Sequence, residues 1–367
     1  MTATVVTNPP IASKRLVIDP SYTLTTVNTL HESVGTRGRV VGVLLAGSLC
    51  CNVAGLVVPF LEIDVFLRGT STYSLPHSVQ LMWEARLYAI ALLIVGFSIL
   101  FPLAKLAVMT SVWFFMRDPG PRRALLEWIE PLGKWSFLDI FIVIIILVLT
   151  DDQLFIAATP VIGLYFFVVA IVLSMIAAMA IERLSRPRPP EDPGRPQSLA
   201  SKPGRRRWVV GLLLLLSVPA LVAAVELPFL KITRFLLSGE AYSIRRSAGT
   251  LWSDDAYLLA AIVAVTLIAV PVACVASMVV VWFRGLDRHG RHRWRVRLAA
   301  MWQWTMIDVF GLALLAFLTE GDDLIRTEVR QGLYLIVAAA VVLTLTYVLI
   351  AGANRHADTR GSTSCDQ

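Results

Sequence analysis

Eight apolar runs, near residues 40–61, 87–116, 136–150, 161–181, 208–230, 256–283, 305–319 and 331–351, leave this chain few folds to choose from. A helix rising ~1.5 Å per residue needs ~20 residues to cross a ~30 Å hydrocarbon layer, and most of the runs have that length. In hydrocarbon every backbone N–H and C=O must be bonded within the protein, so the runs are expected to be helices. The 136–150 and 305–319 runs are shorter, and their polar flanks are expected to enter the interface. A mean hydropathy of +0.70 with 16% charged residues belongs to the same class. The expected fold is an all-α polytopic membrane protein with eight transmembrane helices.

Sliding the sequence against itself by 169 residues superimposes landmark after landmark without a gap. Pro59-Phe60-Leu61 falls on Pro228-Phe229-Leu230, Tyr73-Ser74 on Tyr242-Ser243, and Pro102 on Pro271. Val112-Trp113-Phe114 meets Val281-Trp282-Phe283, Trp135 and Asp139 meet Trp304 and Asp308, and Gly163-Leu164-Tyr165 meets Gly332-Leu333-Tyr334. A constant offset over such a length reads as a duplication. Each repeat holds four spans, an even number, so both halves enter from the same side and the repeats are parallel.

The N-terminal segment, the loops at 117–134 and 284–297, the linker and the C-terminal tail hold 24 of the 33 Lys and Arg residues. The positive-inside rule makes those segments and both termini cytoplasmic. The expected division is a cytoplasmic N-terminal segment 1–38 without order, a first four-helix unit 39–183, a cytoplasmic Pro/Arg-rich linker 184–207, a second four-helix unit 208–351 and a cytoplasmic tail 352–367. On the opposite face the long loop follows the first helix of each unit. Glu62-Ile63-Asp64-Val65-Phe66-Leu67 alternates polar and apolar, which predicts a small loop or β-hairpin there. Basic residues Arg284, Arg288, Arg291, Arg293, Arg295 and Arg297 read as a topology-setting loop. Trp113, Trp135, Trp282 and Trp304 read as interface anchors.

Lys105 is the only charge between Leu87 and Met116. A lysine at the centre of a span costs about 2.5–3.5 kcal/mol on insertion scales, so it is expected to face protein, a wet cavity or a partner. Arg117 is ~18 Å of helix away, too far for the stem to snorkel to the cytoplasmic interface. Ser136-Phe137-Leu138-Asp139 and Thr305-Met306-Ile307-Asp308 admit two readings. One is a capping box, in which hydroxyl and carboxylate satisfy orphan N–H groups at a helix start. The other is a buried pair or proton relay of Asp139 with Lys105, brought together by a kink at Pro102. Lipid or proton pathway candidates are thus Lys105, Asp139, Ser136 and Pro102. Their second-repeat equivalents Cys274, Asp308, Thr305 and Pro271 are expected to be structural.

Four cysteines without a C-x-x-C pair carry neither a metal ribbon nor a disulfide framework, and no cofactor or metal is expected. No phosphate-binding loop, G-x-S-x-G or H-E-x-x-H motif occurs, so no enzymatic activity is expected. The basic residues lie between spans rather than on one soluble domain, so nucleic acid is not the expected partner.

Ser98-Ile99-Leu100-Phe101-Pro102-Leu103-Ala104-Lys105-Leu106 together with Leu132-Gly133-Lys134-Trp135-Ser136-Phe137-Leu138-Asp139-Ile140-Phe141 resembles the paraquat-inducible protein A family of bacterial inner-membrane proteins. The resemblance covers roughly residues 38–183 and 206–351. Members often carry C-x-x-C zinc ribbons ahead of each membrane unit, which this chain lacks. The resemblance implies a multi-pass inner-membrane protein that accompanies a periplasmic MCE-domain protein in intermembrane lipid transport, contacting phospholipid at the membrane end of the MCE tunnel. The residues alone leave open a stand-alone proton-coupled carrier of a small hydrophobic solute, or a non-transporting scaffold.

Overall fold

The structure is a computed structural model and describes residues 36–65, 69–84, 86, 88–116, 120–121, 125, 133–151, 156–185, 205–232, 241–284, 287–321, 327–329 and 331–363. The N-terminal segment 1–38 and the linker 184–207 expected from the sequence fall almost wholly outside them.

Among the described residues, eight helical segments are long and apolar enough to cross a membrane: Gly38–Val57, Val95–Phe114, Gly133–Thr150, Ile162–Ser185, Arg207–Glu226, Tyr257–Phe283, Gly290–Leu318 and Gln331–Ala353. The chain is an all-α multi-pass membrane protein. The first half opens with helix α1 (Thr36–Val57), which leads into strands β1 (Leu61–Val65) and β2 (Gly69–Tyr73). A short helix, α2 (Leu75–Glu84), precedes a long composite helix built from α3 (Tyr88–Ile94), a π-helical turn (Val95–Leu100) and α4 (Phe101–Phe114). A 3₁₀ turn (Gly133–Phe137) starts α5 (Leu138–Asp151), and β3 (Ile156–Pro160) leads into α6 (Ile162–Ser185).

The second half follows the same order: α7 (Arg205–Glu226), β4 (Leu230–Ile232), β5 (Ala241–Tyr242), α8 (Ile244–Ser253), α9 (Tyr257–Val263), a π turn (Ala264–Ala269) and α10 (Val270–Phe283). Then come α11 (Arg288–Trp304), α12 (Ile307–Gly321), β6 (Thr327–Val329) and α13 (Gln331–Thr363). The offset of 169 recurs in local geometry. Leu61 faces Tyr73 and Pro160 across the first sheet, and Leu230 faces Tyr242 and Val329 across the second. Arg86 and Asp255 both take a left-handed backbone.

The loops that follow the first helix of each half are therefore more than hairpins. Each half carries a three-stranded antiparallel sheet, ordered β2-β1-β3 and β5-β4-β6. The third strand comes from the loop before the last helix, a segment too short to show an alternation in sequence.

Within each half the first and last spans pair, and serines tie them: Ser48 Oγ donates to the Ala170 carbonyl at 2.8 Å, and Ser217 Oγ lies 3.5 Å from Thr346 Oγ1. The two halves meet where α5 packs on α12. There the rings of Phe141 and Phe310, which correspond at the repeat offset, touch edge-to-face at 5.5 Å. Residues that correspond and also touch mark the line about which the halves are related, and one apolar core runs across it.

Two expectations are corrected. The basic 284–297 stretch is not a loop: Asp287 accepts a hydrogen bond from the Gly290 N–H at 2.8 Å and caps α11, which holds most of these arginines, Arg291 among the buried ones. Trp113 and Trp282 are core residues, 0% and 3% exposed, rather than interface anchors. Helix α13 runs on through the tail as far as Thr363.

Candidate functional site

Lys105 sits one turn into α4, and what comes before it is unusual. Pro102 has no N–H to give the Ser98 carbonyl, and its ring would crowd that carbonyl in a regular helix. The backbone widens into the π turn instead, with Phe101 donating its N–H to Gly96 O. Helical bulges of this kind recur at functional sites. The same widening precedes Pro271, where Val270 donates to Val265 O. The expected kink at each proline is thus absorbed by a π turn.

In the first half this geometry gathers four polar side chains inside the protein. Lys105 is 4% exposed, and its Nζ donates to Ser174 Oγ at 3.0 Å. Ser174 in turn donates to the Ile171 carbonyl at 2.8 Å. A Cβ on Gly133 would stand 3.6 Å from the same Nζ, so the ammonium lies against the 3₁₀ turn. The Asp139 carboxylate is hydrogen-bonded to the side chain of Ser98, which is buried in the π turn. Lys105 and Asp139 do not pair: each takes a serine hydroxyl from a different helix.

The counterparts of these residues in the second half are mostly apolar. Leu267 stands for Ser98, Cys274 for Lys105 and Leu343 for Ser174, all three buried. Asp308 alone keeps its charge. Its Oδ2 receives Lys134 Nζ at 3.3 Å, and its Oδ1 accepts the Val309 N–H at 3.0 Å. Lys134 comes from the first half and stacks on the Trp302 ring, 4.3 Å from its centroid.

The family model described as paraquat-inducible protein A matches residues 39–185 and again residues 209–352. The chain belongs to the paraquat-inducible protein A family. Relatives named intermembrane transport protein PqiA, from Escherichia coli strain K12, Escherichia coli O6:H1 and Shigella flexneri, are each 25% identical over 154 residues. That match covers 40% of this chain and only 37% of the length of each relative. No solved structure matches the chain.

Within this member of the paraquat-inducible protein A family, the polar centre lies wholly in the first matched region. The capping-box alternative for the two Ser/Thr-x-x-Asp segments is not realised. Ser136 falls inside the 3₁₀ turn, and its buried hydroxyl has no partner. Thr305 closes α11 and donates back to the Met301 carbonyl at 3.1 Å. Sequence reading missed Ser98, Ser174, Gly133 and Lys134. A signal for the two serines existed, because they join Lys105 as positions where one repeat is polar and the other apolar.

Proposed function

We propose that the chain is the inner-membrane component of an intermembrane lipid transport system, loading or unloading phospholipid at the membrane end of a periplasmic MCE-domain partner. The observation that carries this reading is Lys105, an ammonium buried among helices and bonded to a neutral serine hydroxyl. A buried charge is tolerated when something compensates it, and a phospholipid phosphate is an anion that travels with its own apolar tails. The repeat partner Cys274 indicates that the fold does not need a charge at this position, which favours a use for it. The names of the three relatives point to transport between membranes. In this reading no covalent chemistry takes place and no cofactor takes part.

The test is affinity purification of the full chain in mild detergent from cells that hold its natural neighbours, followed by lipid extraction and identification of co-purifying proteins. Enriched phospholipid together with an MCE-domain protein is the expected result. Recovery of the folded chain with neither would overturn the proposal.

The reading also fixes an orientation, with both termini and the linker in the cytoplasm, motivated by the 24 basic residues on that side. Arg195→Cys, placed in a background without the native cysteines, should react with membrane-permeant thiol reagents only. Labelling of intact cells by an impermeant reagent would reverse the orientation.

A further inference from the structure

Among the described residues two lysines are buried, and the first half encodes both. At the repeat offset Lys105 corresponds to Cys274 and Lys134 to Gln303, so the second half carries neither cation. In space the two ammoniums part. Lys105 Nζ stays in its own half on Ser174, while Lys134 Nζ crosses the seam to Asp308 Oδ2 at 3.3 Å and to the Trp302 ring at 4.3 Å.

The carboxylate partner of that ammonium, Asp308, is the second-half counterpart of the first-half candidate Asp139. The Cys274 thiol is hydrogen-bonded to Thr305. Cys274, Thr305 and Asp308 stand where Lys105, Ser136 and Asp139 stand in the first half. Through Asp308 this group meets a cation that the second half does not encode.

The seam explains how one half can serve the other. Phe141 and Phe310 touch across the line relating the halves, and the 3₁₀ turn that holds Lys134 packs against both α11 and α12. A side chain starting that near the line can reach either half. Gly133, which lies against the Lys105 ammonium, and Lys134 are adjacent in the turn, so one short segment meets both centres.

An ordinary topology-setting lysine does not fit these facts. Such a residue is solvated, whereas Lys134 is 7% exposed and stacked on an indole. Exposed ion pairs contribute little, but a buried ammonium must be compensated by partners, and here they come from the other half. The Asp308 side chain is 41% exposed, so this centre is open on its carboxylate side to an arriving group.

We propose that Lys134 is the working cation of the second half, supplied across the seam in place of the lysine that position 274 lacks, so that the halves form one transport pathway. This rests on the transport reading above.

The test uses the full chain, with its partner complex, and vesicles of phosphatidylethanolamine and phosphatidylglycerol. Lys134→Met should lower phospholipid transfer at least tenfold. Adding Cys274→Lys and Leu343→Ser rebuilds the Lys105–Ser174 pair in the second half and should restore transfer to within threefold of wild type. Wild-type transfer by Lys134→Met, or a folded triple variant that stays at the Lys134→Met level, overturns the proposal. If the triple variant does not fold, Lys134→Cys with native Cys274 decides: a short thiol-specific cross-linker should join the two positions in membranes, and no cross-link overturns it. Should wild type itself transfer no lipid, the transport reading fails. Melting temperature and cross-linking would then show whether Lys134 still serves the second half.

Discussion

Gly163→Ala and Gly332→Ala should each abolish the detergent-stable folded protein, whereas Gly211→Ala and Gly249→Ala should leave it intact. A Cβ at Gly163 would stand 2.4 Å from the Pro59 carbonyl oxygen and 2.5 Å from that of Val58. At Gly332 it would stand 2.4 Å from the Pro228 oxygen and 2.6 Å from that of Leu227. These obstacles are backbone, so no rotamer change relieves them. Moving away would also break the Gly163 N–H to Pro59 O and Gly332 N–H to Pro228 O bonds, each 3.0 Å. These bonds fasten the last span of each half to the outlet of its first, at the base of each sheet. Overpacking of this kind costs about 3 kcal/mol or more, a large part of a typical stability. Gly211 and Gly249 have nothing within 4 Å of their added Cβ, and alanine there removes the helix penalty of glycine. Fluorescence-detected size-exclusion chromatography and melting temperature compare the four. A Gly163→Ala variant that melts with wild type would mean that the two backbones lie further apart than 3 Å.

The same pair of glycines shows what a sequence of this kind reveals. The eight runs and the offset of 169 were legible because bilayer crossing and duplication leave long periodic marks, and Gly163 and Gly332 stood out as landmarks of that offset. Lys105 was legible because one charge in an apolar run is conspicuous. Its partner was not, since Ser174 lies 69 residues later in another apolar run and serine is unremarkable there. Asp139 was paired with the wrong residue for a related reason: charge suggests charge, while the helix faces place Ser98 nearer. The capping motif at Ser136 failed because a 3₁₀ turn, with helical backbone already begun, replaced the extended cap that the motif requires. Trp113 and Trp282 looked like interface anchors by position along the chain, but helix rotation, which the sequence does not give, turns them inward.

Lys105→Met should fold at least as well as wild type and yet lose transfer about tenfold or more. The stability half follows from the bonding. Ser174 keeps its hydrogen bond to the Ile171 carbonyl when the lysine is removed, so no hydroxyl is orphaned. Asp139 keeps Ser98, so no buried carboxylate is left without its partner. Methionine fills most of the stem's volume, and an insertion cost of about 2.5–3.5 kcal/mol disappears. The second half already carries the comparison: Cys274, Leu343 and Leu267 occupy the equivalent places, and Cys274 packs in an apolar cluster with Met278, Trp282 and Leu214. The transfer half follows from charge. Without Lys105 the first half has no ammonium to meet a phosphate at that depth, because Lys134 is committed to Asp308 across the seam. Lys105→Arg separates charge from shape, since it keeps the cation but needs more room beside Gly133, and should retain part of the transfer. Detergent-stable yield and phospholipid transfer, measured on the same preparations, read the two halves separately. Full transfer by the Met variant would remove Lys105 from the mechanism, and a collapse in yield would make it a structural residue.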